Sequence, residues 1–227
     1  DRARQWGTCR ARGRFLERSL RAYARVVEHA CDLGYCIRNV RSAERWPTDS
    51  RDVSASLPND VRFVPASGLY LADVLPNNHF DLAFFSNYLE HLPSTEAVLQ
   101  QLRVTFSILK PGGRVLILQP NIRLIGGSYW DFIDHQTALT DKSLAEAAVM
   151  AGFTTIRVLG SPNFDDMALR QAITNRMAVG PRMQNAGHSF GITGGHCDEN
   201  GYKPGLMDAD YRSGVADGAE DGSKAAR

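Results

Sequence analysis

FDLAFFSNYLEHLPSTEAVLQQLRVTFSILKPGGRVLILQPN, residues 80–121, reads in order as strand, loop, helix, tight turn and strand. Phe80-Asp81-Leu82-Ala83-Phe84-Phe85 is a nearly continuous apolar run, which suits a parallel strand buried on both faces better than a half-exposed one. Ser86 and Asn87 stand at its exit. In an open parallel α/β sheet the crevice beyond the carboxyl ends of the strands is where ligands bind. From Thr95 to Leu109 the apolar residues Val98, Leu99, Leu102, Phe106 and Leu109 fall on one helical stripe, with Gln100, Gln101 and Arg103 largely off it. Ser94 is placed to cap that helix. Lys110-Pro111-Gly112-Gly113 ends it, because proline cannot continue a helix and glycine takes positive φ without steric cost. Arg114 to Leu118 is then the next strand.

An FD-strand, an EHL helix start and an LKPGG turn in this order resemble the second half of a class I S-adenosylmethionine-dependent methyltransferase. The resemblance covers roughly residues 26–158, and LKPGGRVLIL is its most specific part. It implies a Rossmann-like α/β sheet with helices on both faces, S-adenosylmethionine as cofactor and a small-molecule methyl acceptor. Glu90-His91 has two readings, a helix-start acid beside a packed histidine or a direct contact to cofactor or substrate.

Upstream, Phe15, Leu16, Leu20, Tyr23 and Ala24 predict an amphipathic N-terminal helix over 1–24, leading into a first strand at Arg25-Val26-Val27-Glu28. In the family, the turn after this strand should read E/D-x-G-x-G-x-G, and here Glu28 and Gly34 keep that pattern while Ala30 and Asp32 depart from it. Glycines in this turn let the backbone approach the cofactor closely. If the cofactor's methionine carboxylate lies near this loop, Asp32 repels it. Like charges about 4 Å apart cost about 1 kcal/mol in water and about 4 kcal/mol at an effective dielectric near 20, so impaired binding is expected. Glu44 to Asp49 reads as the second strand, although Pro47 lacks a ladder donor. The resemblance makes Asp49 the acceptor for both ribose hydroxyls. Val61 to Val64 reads as a third strand, and Ser67 stands where the family has an aspartate that contacts adenine. The cofactor set is therefore Glu28, Ala30, Asp32, Gly34, Asp49, Ser67, Ser86 and Asn87.

Downstream, Gln119-Pro120-Asn121 opens a loop carrying Tyr129-Trp130-Asp131-Phe132-Ile133-Asp134-His135, a stretch that in similar methyltransferases lies near the acceptor site. Asp134 and His135 are candidates for a base pair that activates a hydroxyl, since a carboxylate can orient an imidazole; the alternative is a capping and packing role. Ser143 to Ala151 predicts a helix, and Phe153 to Val158 a strand. Beyond Leu159 the text changes: AGFTTIRVLGS, ALRQAI, GPRM and ITGGHCDENGY resemble the early part of a metal-dependent amidohydrolase of the imidazolonepropionase and prolidase-like group, over about 147–227. AGFTTIRV satisfies both patterns, so the chain reads as a join within a shared helix-to-strand sequence. The family's HxH pair is absent, and His188 with His196 makes a poor zinc site, which wants three or four ligands. As an amidohydrolase this piece should be inactive alone. The domains so read are 1–24, 25–158 and 159–227, with a helix over Asp165 to Ala178, a strand at Pro181 to Asn185 and a poorly ordered tail from about 194.

Composition narrows the rest. With 227 residues, net charge +1 and 43% hydrophobic content, nothing argues for nucleic acid or a charged membrane surface. No stretch approaches the roughly 20 apolar residues of a membrane span. The four cysteines, Cys9, Cys31, Cys36 and Cys197, form no CxxC pair and no zinc spacing, so reduced thiols in a cytoplasmic protein are expected. Three functions stay open: methyl transfer, a piece of a C–N hydrolase, and a non-catalytic remnant.

Overall fold

The computed structural model describes residues 23–30, 42–123, 127–158, 161 and 164–187, without the side chains of Ala30 and Ser128. The expected N-terminal helix falls almost wholly outside the described residues, as do Asp32, Gly34 and the tail. Two compact units divide the chain, Asp1–Phe153 and Thr154–Arg227.

The first unit is built on a five-stranded parallel sheet in the order β3-β2-β1-β4-β5, comprising β1 Arg25–Ala30, β2 Glu44–Asp49, β3 Val64–Pro65, β4 Phe80–Ser86 and β5 Leu109–Leu118. Every residue of β4 is buried. Because successive side chains point to opposite faces, Val27, Ala83 and Phe85 join Trp46, Leu71, Leu75, Phe80 and Ile108 in one core cluster, and Val26, Leu82 and Phe84 form another. Each fully buried leucine or phenylalanine contributes about 1.5–3 kcal/mol. A two-faced burial of this kind matches the nearly continuous apolar run seen in the sequence, interrupted only by Asp81.

Pro47 is accommodated by its direction. Along β2 the Glu44 N–H bonds Ala24 on the β1 side, whereas the carbonyls of Arg45 and Asp49 accept from Arg62 and Ala66 on the other side. Alternation then aims the missing Pro47 donor away from β1, toward an edge where β3 pairs only Thr48 and Asp49. This also corrects the third strand, expected at Val61 to Val64 and found as the two residues Val64–Pro65. Arg62 instead lays its guanidinium 4.0 Å over the Trp46 ring.

Helix α1, Thr95–Ile108, starts where Ser94 accepts a hydrogen bond from the Ala97 N–H at 3.2 Å. Its inner face carries Val98 and Leu102 as expected and also Ile108 and Gln101, both fully buried, whereas Phe106, expected on that stripe, is half exposed. Gln101 is tolerated because its amide is satisfied: Oε1 accepts the Tyr88 hydroxyl and Nε2 donates to Thr105 Oγ1. The helix stops at Ile108. The Lys110 to Gly113 turn then lies inside β5 as a bulge, with Phe80 facing Leu109 but Leu82 facing Arg114. Gly112 takes φ +79°, and a Cβ on Gly113 would stand 2.8 Å from the Lys110 carbonyl. Across this bulge Asp81 pairs with Lys110 and accepts the Arg25 N–H at 2.8 Å. One carboxylate thereby ties the starts of β1 and β5. Helix α2, Asp141–Met150, opens on a capping box between Thr140 and Ser143.

In the second unit, β6 Thr155–Val158 pairs in parallel with β7 Arg182–Asn185, and helix α3, Asp165–Thr174, lies between them in sequence. Asp166 fastens this unit by accepting the N–H groups of Met167 and Gly187. The strand expected near Pro181 therefore forms, but its partner is β6 in a separate two-stranded sheet.

Candidate functional site

All five strands of the first sheet run the same way, so their carboxyl ends share one edge. The order reverses between β1 and β4, the position at which an open α/β sheet leaves a ligand crevice. Ala30 and Ser86 pair as the last residues of those two strands, and Asp49 ends β2 one strand away. Asn87 follows Ser86 with φ +46°, a conformation asparagine tolerates better than most residues, and its N–H bonds the Leu118 carbonyl. Tertiary pairing has thus gathered Glu28, Ala30, Asp49, Ser86 and Asn87 on one rim. Ser67 lies just past β3, leading into a short helical turn.

Asp49 is buried. Its Oδ1 accepts the Arg51 N–H at 2.8 Å, and the Arg51 guanidinium lies 3.3 Å away. The Arg51 side chain is two-thirds exposed, so it can leave the carboxylate to another donor. Glu28 is buried on β1, where its carbonyl accepts the Thr48 hydroxyl. Since that hydroxyl has given away its proton, it accepts from His29 Nδ1 at 2.9 Å, which fixes the Nδ1–H tautomer. Burial pushes His29 down from 6.5 to about 4, outweighing Asp49 and Thr48, which pull it up. At neutral pH this ring carries no charge.

The β4 exit is held from above and below. Tyr88 stacks on Phe85 and meets His29 edge-on at 4.5 Å. Its hydroxyl reaches Gln101 over Gly68, where a Cβ would stand 2.2 Å from that oxygen. Glu90 and His91 lie in a short 3-10 turn, Leu89–His91, and the helix begins only at Thr95. Neither residue is therefore a helix-start acid or its neighbour. The Glu90 carbonyl accepts the N–H groups of Gln136 and Thr137, and Thr137 Oγ1 donates to the Leu92 carbonyl. These bonds seat the segment 127–137 against the exit of β4. The Glu90 side chain is fully buried; its Oε1 accepts the Tyr129 hydroxyl at 2.9 Å while Oε2 has no partner among the described residues.

Asp134 and His135, for which a base pair and a capping and packing role were both open, share no hydrogen bond and make separate contacts. Asp134 faces His91, with Oδ2 3.5 Å from Nδ1 and its carbonyl 2.9 Å from the same nitrogen. His135 gives its Nδ1–H to the Tyr129 carbonyl and stacks on the Tyr129 ring at 4.3 Å. The Asp134 carboxylate and the His135 imidazole come within 4.8 Å of each other, near but not hydrogen-bonded. The sequence reading did not single out Arg51, which bonds Asp49, or His29 beside Thr48, and it named Tyr129 only within the stretch expected near the acceptor site. Only Arg51 carried a local signal, an aspartate two residues earlier whose side chain can accept its N–H.

The family model described as a methyltransferase domain matches residues 1–158. No curated protein matches the chain. Among solved structures, an S-adenosylmethionine-dependent methyltransferase from Archaeoglobus fulgidus aligns at 18% identity and TM-score 0.52, covering 75% of this chain and 88% of its own. A second, from Mesorhizobium loti, aligns at 17% identity and TM-score 0.50, covering 78% and 94%.

Proposed function

The chain belongs to the methyltransferase-domain family, with methyl transfer from S-adenosylmethionine as its activity, and we propose that its acceptor is a small molecule reached at the rim formed by β1, β2 and β4. The observation that carries this reading is the buried Asp49 at the carboxyl end of β2, beside the point where strand order reverses.

The residues present fit the cofactor at the ribose position. A carboxylate accepts two hydroxyl donors at once, and Asp49 presents two oxygens whose present side-chain donor is an exposed, movable guanidinium. Ser67 can donate or accept toward a base edge. Ser86 and Asn87 line the β4 side of the crevice. When bound, the cofactor supplies an electrophilic methyl group on a sulfonium centre. The uncharged His29 at the end of β1 adds no cation to that neighbourhood. Methyl transfer asks mainly for alignment of acceptor and methyl group, an effect that well-oriented sites supply in large measure. A dedicated Asp134–His135 base is not required. Near-zero net charge agrees with a small acceptor rather than a polyanion.

Calorimetric titration with S-adenosylhomocysteine tests the pocket without an acceptor. Saturable one-to-one binding, weakened at least tenfold in Asp49→Ala, is expected. Ala30→Gly combined with Asp32→Gly should tighten binding, by about fivefold to a thousandfold for a relieved repulsion of about 1–4 kcal/mol. Absence of binding by the folded chain and by this double variant would refute the pocket.

A second reading concerns the chain beyond Phe153. We propose that it is a piece of an amidohydrolase-like α/β barrel, supported by the parallel pairing of β6 and β7 with α3 between them. A strand, helix and parallel strand is the unit from which such barrels are made. Sequencing source DNA on either side of the codons for 147–158 tests it: an HxH-bearing strand in a contiguous upstream frame supports the reading, and a seventh methyltransferase strand directly downstream refutes it.

A further inference from the structure

The side chains of His91, Asp134 and His135 each bring one ligating atom within 4.8 Å of the other two. They come from two separate segments, the Leu89–His91 turn after β4 and the loop that follows Gly127–Asp131. The hydrogen bonds between those segments, described above, fix how they meet. We propose that this trio is a binding site for a divalent first-row transition metal ion.

The ring nitrogens carry the argument. His91 Nδ1 lies 2.9 Å from the Asp134 carbonyl, and His135 Nδ1 bonds the Tyr129 carbonyl. A carbonyl oxygen only accepts, so both Nδ1 atoms hold a proton, which leaves Nε2 as the nitrogen of each ring that a metal ion would take. Metal-binding histidines use this arrangement: one ring nitrogen donates to a carbonyl, which sets the tautomer and aims the other nitrogen at the ion. Ring orientation is fixed as well. His135 stacks on Tyr129 and has Trp130 and Phe132 within 6.1 Å, while the two imidazoles lie 5.0 Å apart. Tyr129 is in turn held by the buried Glu90, whose Oε2 still lacks a donor.

Two imidazoles and one carboxylate match the preferences of zinc, nickel, cobalt or ferrous iron and are too few and too nitrogen-rich for calcium or magnesium. Ligand distances of about 2.1 Å put neighbouring ligands roughly 3 to 4 Å apart. The trio therefore closes by a modest swing, and Asp134, whose side chain is 66% exposed, is free to make it. Three protein ligands leave positions open for water or for an oxygen of an acceptor. None of its ligands is among the residues assigned to the cofactor rim.

The test is calorimetric titration of the purified, untagged chain with Zn²⁺ and with Co²⁺, in the absence of any cofactor. Asp134→Asn, His91→Gln and His135→Gln are titrated in parallel and checked for folding by circular dichroism. One equivalent bound by the wild type, weakened at least tenfold in Asp134→Asn and in each histidine variant that folds, is expected. Binding that is unchanged in Asp134→Asn and in the folded histidine variants would assign the metal to thiols or to other histidines and overturn the proposal. Absence of saturable binding would overturn it too. Because no methyl donor or product is present, either result leaves the S-adenosylhomocysteine titration to speak separately for the pocket.

Discussion

Replacing His29 with asparagine should flatten the acid limb of this protein's stability. Asparagine keeps an N–H where Nδ1 sits and so keeps the bond to Thr48, but it cannot take a proton. In the wild type the ring is buried at 6% exposure, and its pKa falls from 6.5 to about 4. The unfolded chain therefore takes up the proton first as pH falls. Stability contributed by the neutral ring is complete above about pH 6.5, drains away as pH drops, and the loss levels off below about 4. The full difference is about 3 kcal/mol, of which about 2 kcal/mol falls between pH 7 and pH 4.5. That is a large share of a typical 5–15 kcal/mol of domain stability. Urea denaturation at the two pH values measures it. His29→Asn should be the less stable protein at pH 7, having lost its packing against Tyr88 and Phe85, and it should lose about 2 kcal/mol less than the wild type on acidification. Equal losses in the two proteins would refute the reasoning, because the ring would then be protonating as readily in the fold as in the open chain.

Gly68→Ala should destabilise the fold by about 1–3 kcal/mol through overpacking, read as a lower urea midpoint. The new Cβ meets Tyr88 Oη at 2.2 Å and Gln101 Oε1 at 2.4 Å, and Tyr88 is pinned against Phe85. Asp81→Asn should cost about 1.5–3 kcal/mol at pH 7, the usual worth of hydrogen bonds to a charged group. Burial opposes ionisation of Asp81, but Lys110 and the Arg25 N–H outweigh it and hold the carboxyl below its usual 3.8. Its contribution is thus present above about 3.8 and is lost as pH falls through the lower folded value, so the variant and wild-type denaturation midpoints should converge in strong acid.

Local chemistry in the sequence was enough for most of the first unit. The nearly continuous apolar run of β4 is satisfied by burial on both faces, Ser94 and the following stripe define α1, and the helix ends two residues ahead of the Lys110 to Gly113 turn. These signals act over a few residues, which is why β4 and the end of α1 fall within a residue or two of expectation. Where an element is defined by its neighbour the reading loosened. The short β3 pairs only Thr48 and Asp49, beyond Pro47, which offers that edge no donor. The burial of Gln101 follows from a tyrosine hydroxyl thirteen residues away.

The site divides in the same way. Asp49 was legible because an acidic residue ending a second strand has a place in this fold whatever surrounds it. Its partner Arg51, the neutral state of His29 and the pairing of His91 with Asp134, 43 residues apart, were not. A pKa depends on how completely a ring is removed from water, and a ligand cluster depends on which loops meet. Both are set by packing of distant segments, and no spacing along one chain encodes them. What the sequence determined by itself was the parallel sheet and the acid at its rim; what only the tertiary structure decided was the neutral state of His29 and the company that His91 and His135 keep.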